Sequence, residues 1–410
     1  MDDVSLFAAF RGEHYADPDS LARRLAPPYD VISPPQRAEL VARDPYNVVN
    51  VDLPVAPDGG DAYAAAAALL AEWRGKGVIV RDAEPSAYVL RTSGRFPDGT
   101  TRERTGVFLA VSAEPFSKGR VLPHERTHAK AKEDRRRLMH ATGANLSAVF
   151  LLAPDSAGEL TKALRQVTSR PPWARCTALG SDQAIWVVGG QEAQRLAAIA
   201  GAEPVYVADG HHRFETSVMF RDEAPEVWRA GAARTLSHVV SFQDPGLVIL
   251  PTHRLLEGAP VEPGAFLAAA DPYFTEAAAG TEPTLWVVFK GGREVALLVR
   301  PGAELPKVGG QPVHPAVRAL EVAVADGLAV GVVAASLLSG VPALRYTADA
   351  AEAREAARDG RCACAIMLPP TRLEAVRRVA DAGQIMPPKS TYFAPKVPTG
   401  VVLRPFDAPA

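Results

Sequence analysis

The sequence has few cysteines, no excess of one charge sign and no long apolar run. Its 410 residues include three cysteines, too few for a disulfide framework and typical of a reducing compartment. The 45 basic and 47 acidic residues leave a net charge of −2, which argues against a general nucleic-acid binder. The most apolar stretch, residues 320–340, is interrupted by Glu321 and Asp326. We therefore expect a cytoplasmic protein whose partners are neither membranes nor nucleic acids.

Three common site motifs are also missing. The sequence contains no P-loop G-x-x-x-x-G-K-[ST], no Rossmann G-x-G-x-x-G and no nucleophile elbow G-x-S-x-G. What it does contain is 47% hydrophobic residues against 22% charged residues, enough apolar side chains for a large buried core. The length predicts two domains, and we place the boundary between residues 1–242 and 243–410.

Strand-like and helical segments alternate along the chain. A helix is predicted over residues 61–74, because Asp61 can cap it and Gly75 can end it. Residues 88–92 and 106–112 are typical of a hairpin around Asp98-Gly99. Further strands are predicted at 148–152, 185–188, 205–207, 238–242, 285–289 and 295–299. This mixture of hairpins and helical connections predicts an α/β protein with a mixed sheet.

The densest group of functional side chains is Asp209–Arg213 (DGHHR), directly after the predicted strand at 205–207. A helix N-terminus offers unpaired N–H groups to an anion, and Gly210 lets the backbone approach a phosphate. Arg213 adds a cationic fork, and the two histidines can carry protons. These features favour a phosphate or nucleotide site. The alternative is that Asp209 only caps the helix and the histidines lie on its exposed face.

A second group lies within a highly charged helix predicted over residues 125–139. His124, Glu125 and His128 match H-E-x-x-H, which on a helix would place two zinc ligands on one face with a glutamate as base. Pro123, directly before this motif, starts the helix there and argues against a zinc site.

The same helix predicts a basic stripe. His128, Lys132 and Arg135 are spaced i, i+4 and i+7, an arrangement suited to binding phosphates. The alternative is a solvated surface helix with many charge pairs.

Two proline-bounded segments supply weaker candidates. Residues 386–400 (MPPKSTYFAPKVPTG) hold Lys389 and Ser390 in an extended loop, which suits either a ligand or a buried tail. Pro27–Ser33 (PPYDVIS) places Asp30 in a turn, where it could be a base, a metal-facing carboxylate or a turn residue.

Five blocks, in this order, resemble a widespread bacterial family of unknown function within the ParB/sulfiredoxin-like superfamily: PPYDVIS, HERTHAKAKEDRRRLM, YVADGHHRFET, LPTHRLL and MPPKSTYFAPK. In that superfamily a strand–turn–helix with a glycine and a following arginine binds nucleotide phosphates. Its members include CTP-dependent partition proteins, sulfiredoxins and free-serine kinases. His211 stands where sulfiredoxins have a cysteine, and no DNA-binding helix-turn-helix is evident. The box DGHHR is similar to that of the serine kinases.

The resemblance implies a nucleotide-binding fold over residues 1–242 and no defined role for residues 243–410. Our working hypothesis is a phosphotransferase, in either direction, that uses ADP or ATP with Mg²⁺ and acts on a small hydroxylated metabolite, with free serine as the best candidate. The expected phosphate-binding residues are Gly210, His212, Arg213, His128, Lys132, Arg135, Lys389 and Ser390. The expected catalytic residues are Asp209, His211 and Asp30.

Two alternatives from other classes stay open. A nucleotide-sensing regulator would bind the nucleotide without turnover and could form a homodimer on binding. A zinc hydrolase would use His124, Glu125 and His128.

Overall fold

A computed structural model describes residues 5–56, 59–127 and 129–406, and the chain divides into two compact units. The first unit is Met1–Leu247 with Pro395–Ala410, and the second is Val248–Ala394. The chain therefore leaves the first unit once and returns to it near the C-terminus. The single boundary expected at residue 242 did not include this return.

Both units combine short strands with helices. In chain order, the strands are β1 (Phe7–Ala8), β2 (Glu13–Tyr15), β3 (Ile79–Arg81), β4 (Ser86–Arg95), β5 (Thr101–Ser112), β6 (Val121–Leu122), β7 (Ala144–Asn145), β8 (Val149–Ala153), β9 (Ala174–Ala178), β10 (Ser181–Gly189), β11 (Val205–Asp209), β12 (Arg234–Ser241), β13 (Val248–Leu250), β14 (His253–Leu256), β15 (Phe274–Glu276), β16 (Leu285–Val288), β17 (Glu294–Val299), β18 (Leu344–Thr347), β19 (Cys364–Met367), β20 (Tyr392–Ala394) and β21 (Arg404–Pro405).

The helices are α1 (Leu21–Arg24), α2 (Pro34–Arg43), α3 (Val49–Asp52), α4 (Ala62–Gly75), α5 (Ala129–Thr142), α6 (Glu159–Thr168), α7 (Gly190–Ala200), α8 (His211–Glu223), α9 (Arg229–Ala232), α10 (Pro263–Ala270), α11 (Pro315–Arg318), α12 (Glu321–Val324), α13 (Ala335–Leu337), α14 (Ala350–Arg358) and α15 (Leu373–Asp381). A π-helical stretch, Ala325–Ala334, joins α12 to α13. Over the described residues, no helix is both long and apolar enough to cross a bilayer.

A mixed sheet organises the first unit. Within the described residues it has nine strands, in the order β6-β11-β8-β12-β5-β4-β10-β9, with β1 paired to β5. The pairs β6–β11 and β8–β12 are parallel, and the other pairs are antiparallel. One row of cross-strand partners runs Asp209, Phe150, His238 and Phe108. The mixed α/β class predicted from the sequence is confirmed.

The two faces of this sheet have different surroundings. Alternate residues of β5, among them Val107, Leu109 and Val111, share a buried apolar cluster with side chains of α6, α7 and α8. Because successive residues of a strand point to opposite faces, Gly106 and Phe108 point away from that cluster. The same alternation places the buried side chain of Arg104 on the second face.

The second unit has its own sheet and core. Its residues, all described, include six strands in the order β15-β17-β16-β19-β14-β18, every pair antiparallel. Its apolar cluster includes residues of the π-helical stretch. Arg254 is fully buried, and its guanidinium donates to the Asp326 carboxylate at 2.8 and 3.1 Å. A buried arginine in this pairing fixes β14 to the start of the π-helical stretch.

The C-terminal segment of the first unit, which begins at Pro395, packs closely on α9 through the backbone of Phe406. A Cβ on Gly231 would lie 2.1 Å from the backbone oxygen of Phe406. Gly231→Ala should therefore lower the free energy of unfolding by about 1–3 kcal/mol through overpacking. The matched control is Gly75→Ala in α4, where a Cβ meets nothing within 4 Å, and it should stabilise by up to about 1 kcal/mol. If the two variants change the free energy of unfolding in urea equally, the contact between Gly231 and the Phe406 backbone is contradicted.

Candidate active site

The turn between β11 and α8 depends on glycine. Gly210 has φ 92°, in the left-handed region that non-glycine residues avoid. A Cβ at this position would also lie 3.0 Å from the Cζ atom of Arg213. The glycine thus allows the sharp turn and leaves room for a guanidinium directly beside the helix N-terminus.

The carboxylate of Asp209 lies between two cations. Arg213 Nη2 donates to Oδ2 at 2.7 Å, and Lys396 Nζ donates to Oδ1 at 3.0 Å. Burial would raise the pKa of Asp209, but Lys396 and Arg213 outweigh it and hold that pKa well below its usual range. The carboxylate is therefore ionised at neutral pH and is a weak base. This state favours a role in positioning the two cations.

Arg213 is held from two sides and keeps an unused donor. Its Nη1 donates to the Ala148 carbonyl, so the guanidinium joins β11 to the start of β8. Its side chain is 7% exposed, yet Nε has no hydrogen-bond partner among the described residues. Burial alone would lower the pKa of Arg213, but nearby acidic groups, chiefly Asp209, raise it. Arg213 and Lys396 are thus two cations that share the carboxylate of Asp209.

His211, at the first position of α8, is buried and neutral. Its Nε2 accepts a hydrogen bond from the His124 backbone N–H at 3.3 Å, and its Nδ1 lies 4.0 Å from Glu125 Oε2. Because Nε2 accepts, we assign the ring proton to Nδ1, toward that carboxylate. Burial lowers the pKa of His211 well below 6.5, and the neighbouring His124 lowers it further. With its acceptor nitrogen in use, His211 is poorly placed to take a substrate proton.

The helical H-E-x-x-H arrangement is wrong. Helix α5 begins at Ala129, so His124 and Glu125 lie in the preceding non-helical segment, and His128 lies outside the described residues. The His124 ring meets the His211 ring edge-on, with centroids 4.7 Å apart. Burial lowers the pKa of His124 to about 4 despite a hydrogen bond to the Val207 backbone. Over residues 5–56, 59–127 and 129–406, no three His, Cys, Asp or Glu side chains are grouped to hold a metal ion.

The predicted basic stripe is largely neutralised by carboxylates. Lys132 Nζ donates to Glu215 Oε2 at 2.9 Å, which ties α5 to α8. Arg135 Nη1 lies 3.3 Å from Asp52 Oδ1, and its guanidinium stacks 3.8 Å from the centre of the Tyr29 ring. The role of Lys132 and Arg135 as phosphate ligands stays a prediction, and both cations already hold the local structure together.

Asp30 and Asp52 also interact electrostatically with Arg213. Asp52 is buried, and Ser147 donates to its Oδ1 at 2.9 Å, while Oδ2 has no partner in the described part of the chain. Burial raises the pKa of Asp52, although Arg135 opposes this. Asp30 is exposed and interacts electrostatically with Arg213 and Asp52. A small cavity of about 30 Å³, lined in part by Asp52, Arg135 and Arg213, lies beside these groups.

The remaining predicted residues are divided between the units. His212 is half-buried in the first turn of α8, beside the cluster. Lys389 and Ser390 belong to the second unit. The Ser390 hydroxyl donates to the Pro387 carbonyl at 2.6 Å, and Lys389 is exposed with φ 56°. These contacts form a turn, and the use of Lys389 and Ser390 for a ligand stays a prediction.

The lysine that joins this cluster is not the one predicted from the sequence. Lys389 was the predicted residue of segment 386–400, whereas Lys396 of the same segment donates to Asp209. Asp52 was not among the predicted site residues either, and the strand that its alternating pattern indicated is the short helix α3. The sequence indicated only that Lys396 lies in a proline-bounded segment. That segment contains two lysines, and the pattern does not distinguish the one that contacts β11.

Comparisons with known proteins identify a family and weak structural likenesses. A family model described as "Protein of unknown function (DUF1015)" matches residues 7–323. No curated protein matches the chain. A free serine kinase variant in complex with ADP is 13% identical, with a TM-score of 0.36, over 70% of this chain and 87% of that chain.

Two other solved structures are similar to the same degree. A conserved hypothetical protein from Pyrococcus furiosus is 13% identical, with a TM-score of 0.35, over 72% of this chain and 93% of its own. SbnI with a C-terminal truncation, from Staphylococcus aureus, is 10% identical, with a TM-score of 0.37, over 71% and 84%. Similarity at this level assigns no function, and the ParB/sulfiredoxin-like assignment stays a prediction.

The requirement for glycine at the turn can be separated into backbone strain and contact with Arg213. Gly158 also precedes a helix with φ 70°, but a Cβ there meets nothing within 4 Å. Gly158→Ala should cost about 1–2 kcal/mol of unfolding free energy from strain alone. Gly210→Ala should cost at least about 1 kcal/mol more, because the guanidinium must move. If urea unfolding gives equal losses, Arg213 does not depend on this glycine.

The ion pairs of Asp209 predict a specific acid dependence. Its folded pKa lies below the unfolded value of about 3.9, so the stabilisation is present above about pH 4 and is lost as the pH falls toward the folded value. Lys396→Met removes one cation and should reduce this loss. This loss is measured as the change in unfolding free energy between about pH 7 and pH 2.5. The control variant is Lys162→Met, which changes an exposed lysine on α6. An unchanged slope for Lys396→Met would show that Lys396 does not stabilise the carboxylate.

Proposed function

The chain belongs to the DUF1015 family of proteins of unknown function, and we propose that it is a nucleotide-dependent phosphotransferase that acts on a small hydroxylated metabolite. Free serine is the first substrate to test. One observation carries the proposal: Arg213 and Lys396 are held by one carboxylate at the N-terminus of α8. The weak similarity to free serine kinase guides only the choice of compounds.

The cluster has the properties that phosphate binding requires. The N-terminus of α8 carries the positive end of the helix dipole, and Gly210 exposes backbone there. Arg213 retains its unpartnered Nε among the described residues, and Lys396 is a second cation beside the same carboxylate. Phosphoryl transfer depends mainly on positioning and on neutralising phosphate charge, which these groups would supply. Asp209 would then orient the cations.

The base that accepts the substrate proton is proposed to be Asp30. Asp209 has a strongly lowered pKa, and the acceptor nitrogen of His211 is in use. Asp30 is an exposed carboxylate close enough to Arg213 to interact with it. An exposed carboxylate beside a phosphate-binding cation can reach both solvent and a bound hydroxyl.

A Mg²⁺ ion bound with the nucleotide would neutralise phosphate charge and would need one or two protein carboxylates. Asp52 fits this requirement, because its Oδ2 atom is buried without a partner among the described residues. Ser147 and Arg135, which both contact Asp52 Oδ1, would orient that carboxylate.

A nucleotide-sensing regulator is the second candidate. The observation that favours it is that neither Asp209 nor His211 is suited to accept a proton. A regulator would use the same cations and release no phosphorylated product.

The proposal predicts both binding and turnover. The whole chain is titrated with ADP, ATP and CTP in the presence of Mg²⁺, and phosphoserine formation is followed by mass spectrometry. Lys396→Met should weaken nucleotide binding by about 1.5–3 kcal/mol, the worth of a charged hydrogen bond, while Lys162→Met should not. Asp30→Asn should retain binding and lose at least about 100-fold in turnover. Binding without any product would support the regulator, and no nucleotide binding would contradict both functions.

A further inference from the structure

An arginine and a histidine, Arg104 and His238, are buried on the second face of the sheet, and the proposed reaction uses neither of them. Arg104 of β5 is 2% exposed, and His238 of β12 is 1% exposed. Among residues 5–56, 59–127 and 129–406, Arg104 Nη1 and Nη2 have no hydrogen-bond partner, and neither has either ring nitrogen of His238. Buried polar groups are nearly always hydrogen-bonded, so four such nitrogens in one place require an explanation.

The local packing brings these two side chains together. A Cβ on Gly106 would lie 2.5 Å from His238 Cε1, so the imidazole stands directly over this glycine. Arg104 is two residues before Gly106 on the same face of β5, about 7 Å along the strand. The Arg104 Cζ lies 5.0 Å from the centre of the Phe150 ring, and the centre of the His238 ring lies 5.9 Å from it. Phe150 therefore forms an apolar wall beside both groups.

The charge of this pair is positive and only partly balanced. Burial lowers the pKa of Arg104 to about 10, and Asp244 opposes this, so the guanidinium is charged at neutral pH. The Asp244 carboxylate accepts from the backbone N–H groups of Thr105 and Gly246, at 2.9 and 2.8 Å. Burial lowers the pKa of His238 well below 6.5, and Arg104 lowers it further. The pair thus provides one charged guanidinium, from Arg104, and one N–H donor of a neutral imidazole, from His238.

The position of the pair relates it to the candidate active site. Asp209 pairs with Phe150, and Phe150 pairs with His238, in one row across β11, β8 and β12. With about 4.8 Å between neighbouring strands, the backbones of Asp209 and His238 lie about 10 Å apart. A small molecule bound at the Asp209 cluster could extend to a second group at this distance.

We propose that Arg104 and His238 form a buried anion-binding subsite that takes a carboxylate or phosphate group of a small molecule. The planar guanidinium matches either group in a bidentate manner, and the His238 N–H supplies a third donor. Gly106 leaves room for the imidazole, and Phe150 excludes water on one side. As a part of the substrate site the subsite rests on the proposed phosphotransferase function, but its affinity for anions does not.

The test compares Arg104→Met, which keeps length and removes the donors, with Arg102→Met, a partly exposed arginine of the same strand. Melting temperatures are measured with inorganic phosphate, sodium acetate and L-serine, each against sodium chloride at equal ionic strength. The wild type and Arg102→Met should gain several degrees with at least one of these compounds. Arg104→Met should lose the part of this gain that the subsite contributes and keep any gain that comes from the Arg213–Lys396 cluster. Without ligand it should melt no lower than the wild type, because an unpaired buried charge has been removed.

The outcomes separate the subsite from the proposed function. A response to phosphate alone that Arg104→Met loses assigns the subsite to a phosphate group, and a response to acetate and serine that Arg104→Met loses assigns it to a carboxylate. Titration calorimetry should show at least a ten-fold loss of that affinity in Arg104→Met, with ADP affinity unchanged. His238→Leu, as a second variant, should give the same loss. No response of the wild type to any of the three compounds, together with a less stable Arg104→Met, would overturn the subsite, whether or not phosphotransfer is observed.

Discussion

The candidate site depends on the carboxylate of Asp209, which holds two cations in place at the beginning of α8. Without it, Arg213 would be a buried guanidinium whose one remaining hydrogen bond within the described residues is to a carbonyl, and Lys396 would lose its ion pair with this residue. A buried cation without a counter-charge is expensive, so this carboxylate makes the positive cluster tolerable inside the protein. The strongly lowered pKa of Asp209 reflects that arrangement. It explains why an acidic residue lies where an anion is expected to bind.

Cross-strand pairing connects this cluster to the other polar groups of the first unit. β11, β8, β12 and β5 are neighbours, so residues far apart in sequence share one row. The apolar face of the sheet packs on helices and is fully used in the core. The second face carries Arg104 and His238, whose buried nitrogens without hydrogen-bond partners in the described residues are a cost to folding. Both polar groupings therefore point to ligand chemistry.

Local sequence patterns predicted the elements well and the long-range contacts poorly. The strand, turn and helix around Asp209–Arg213 are confirmed, as are the hairpin β4–β5 and helix α4 with its Asp61 cap, because each depends on periodicity and turn chemistry within about 15 residues. The start of α5 was predicted too early. The burial of Lys396, Asp52 and Arg104 beside charged groups could not be predicted this way, since tertiary pairing decides which of many similar side chains becomes buried beside a charge.

The return of the chain to its first unit has a consequence for biosynthesis. Asp209 and Arg213 leave the ribosome long before Lys396, and the whole of Val248–Ala394 must be translated between them. During that interval the nascent first unit holds Asp209 with only one of its two cationic partners, and its C-terminal segment has yet to dock. The complete cluster of Asp209, Arg213 and Lys396 can thus form only late in synthesis, after the inserted unit has been made.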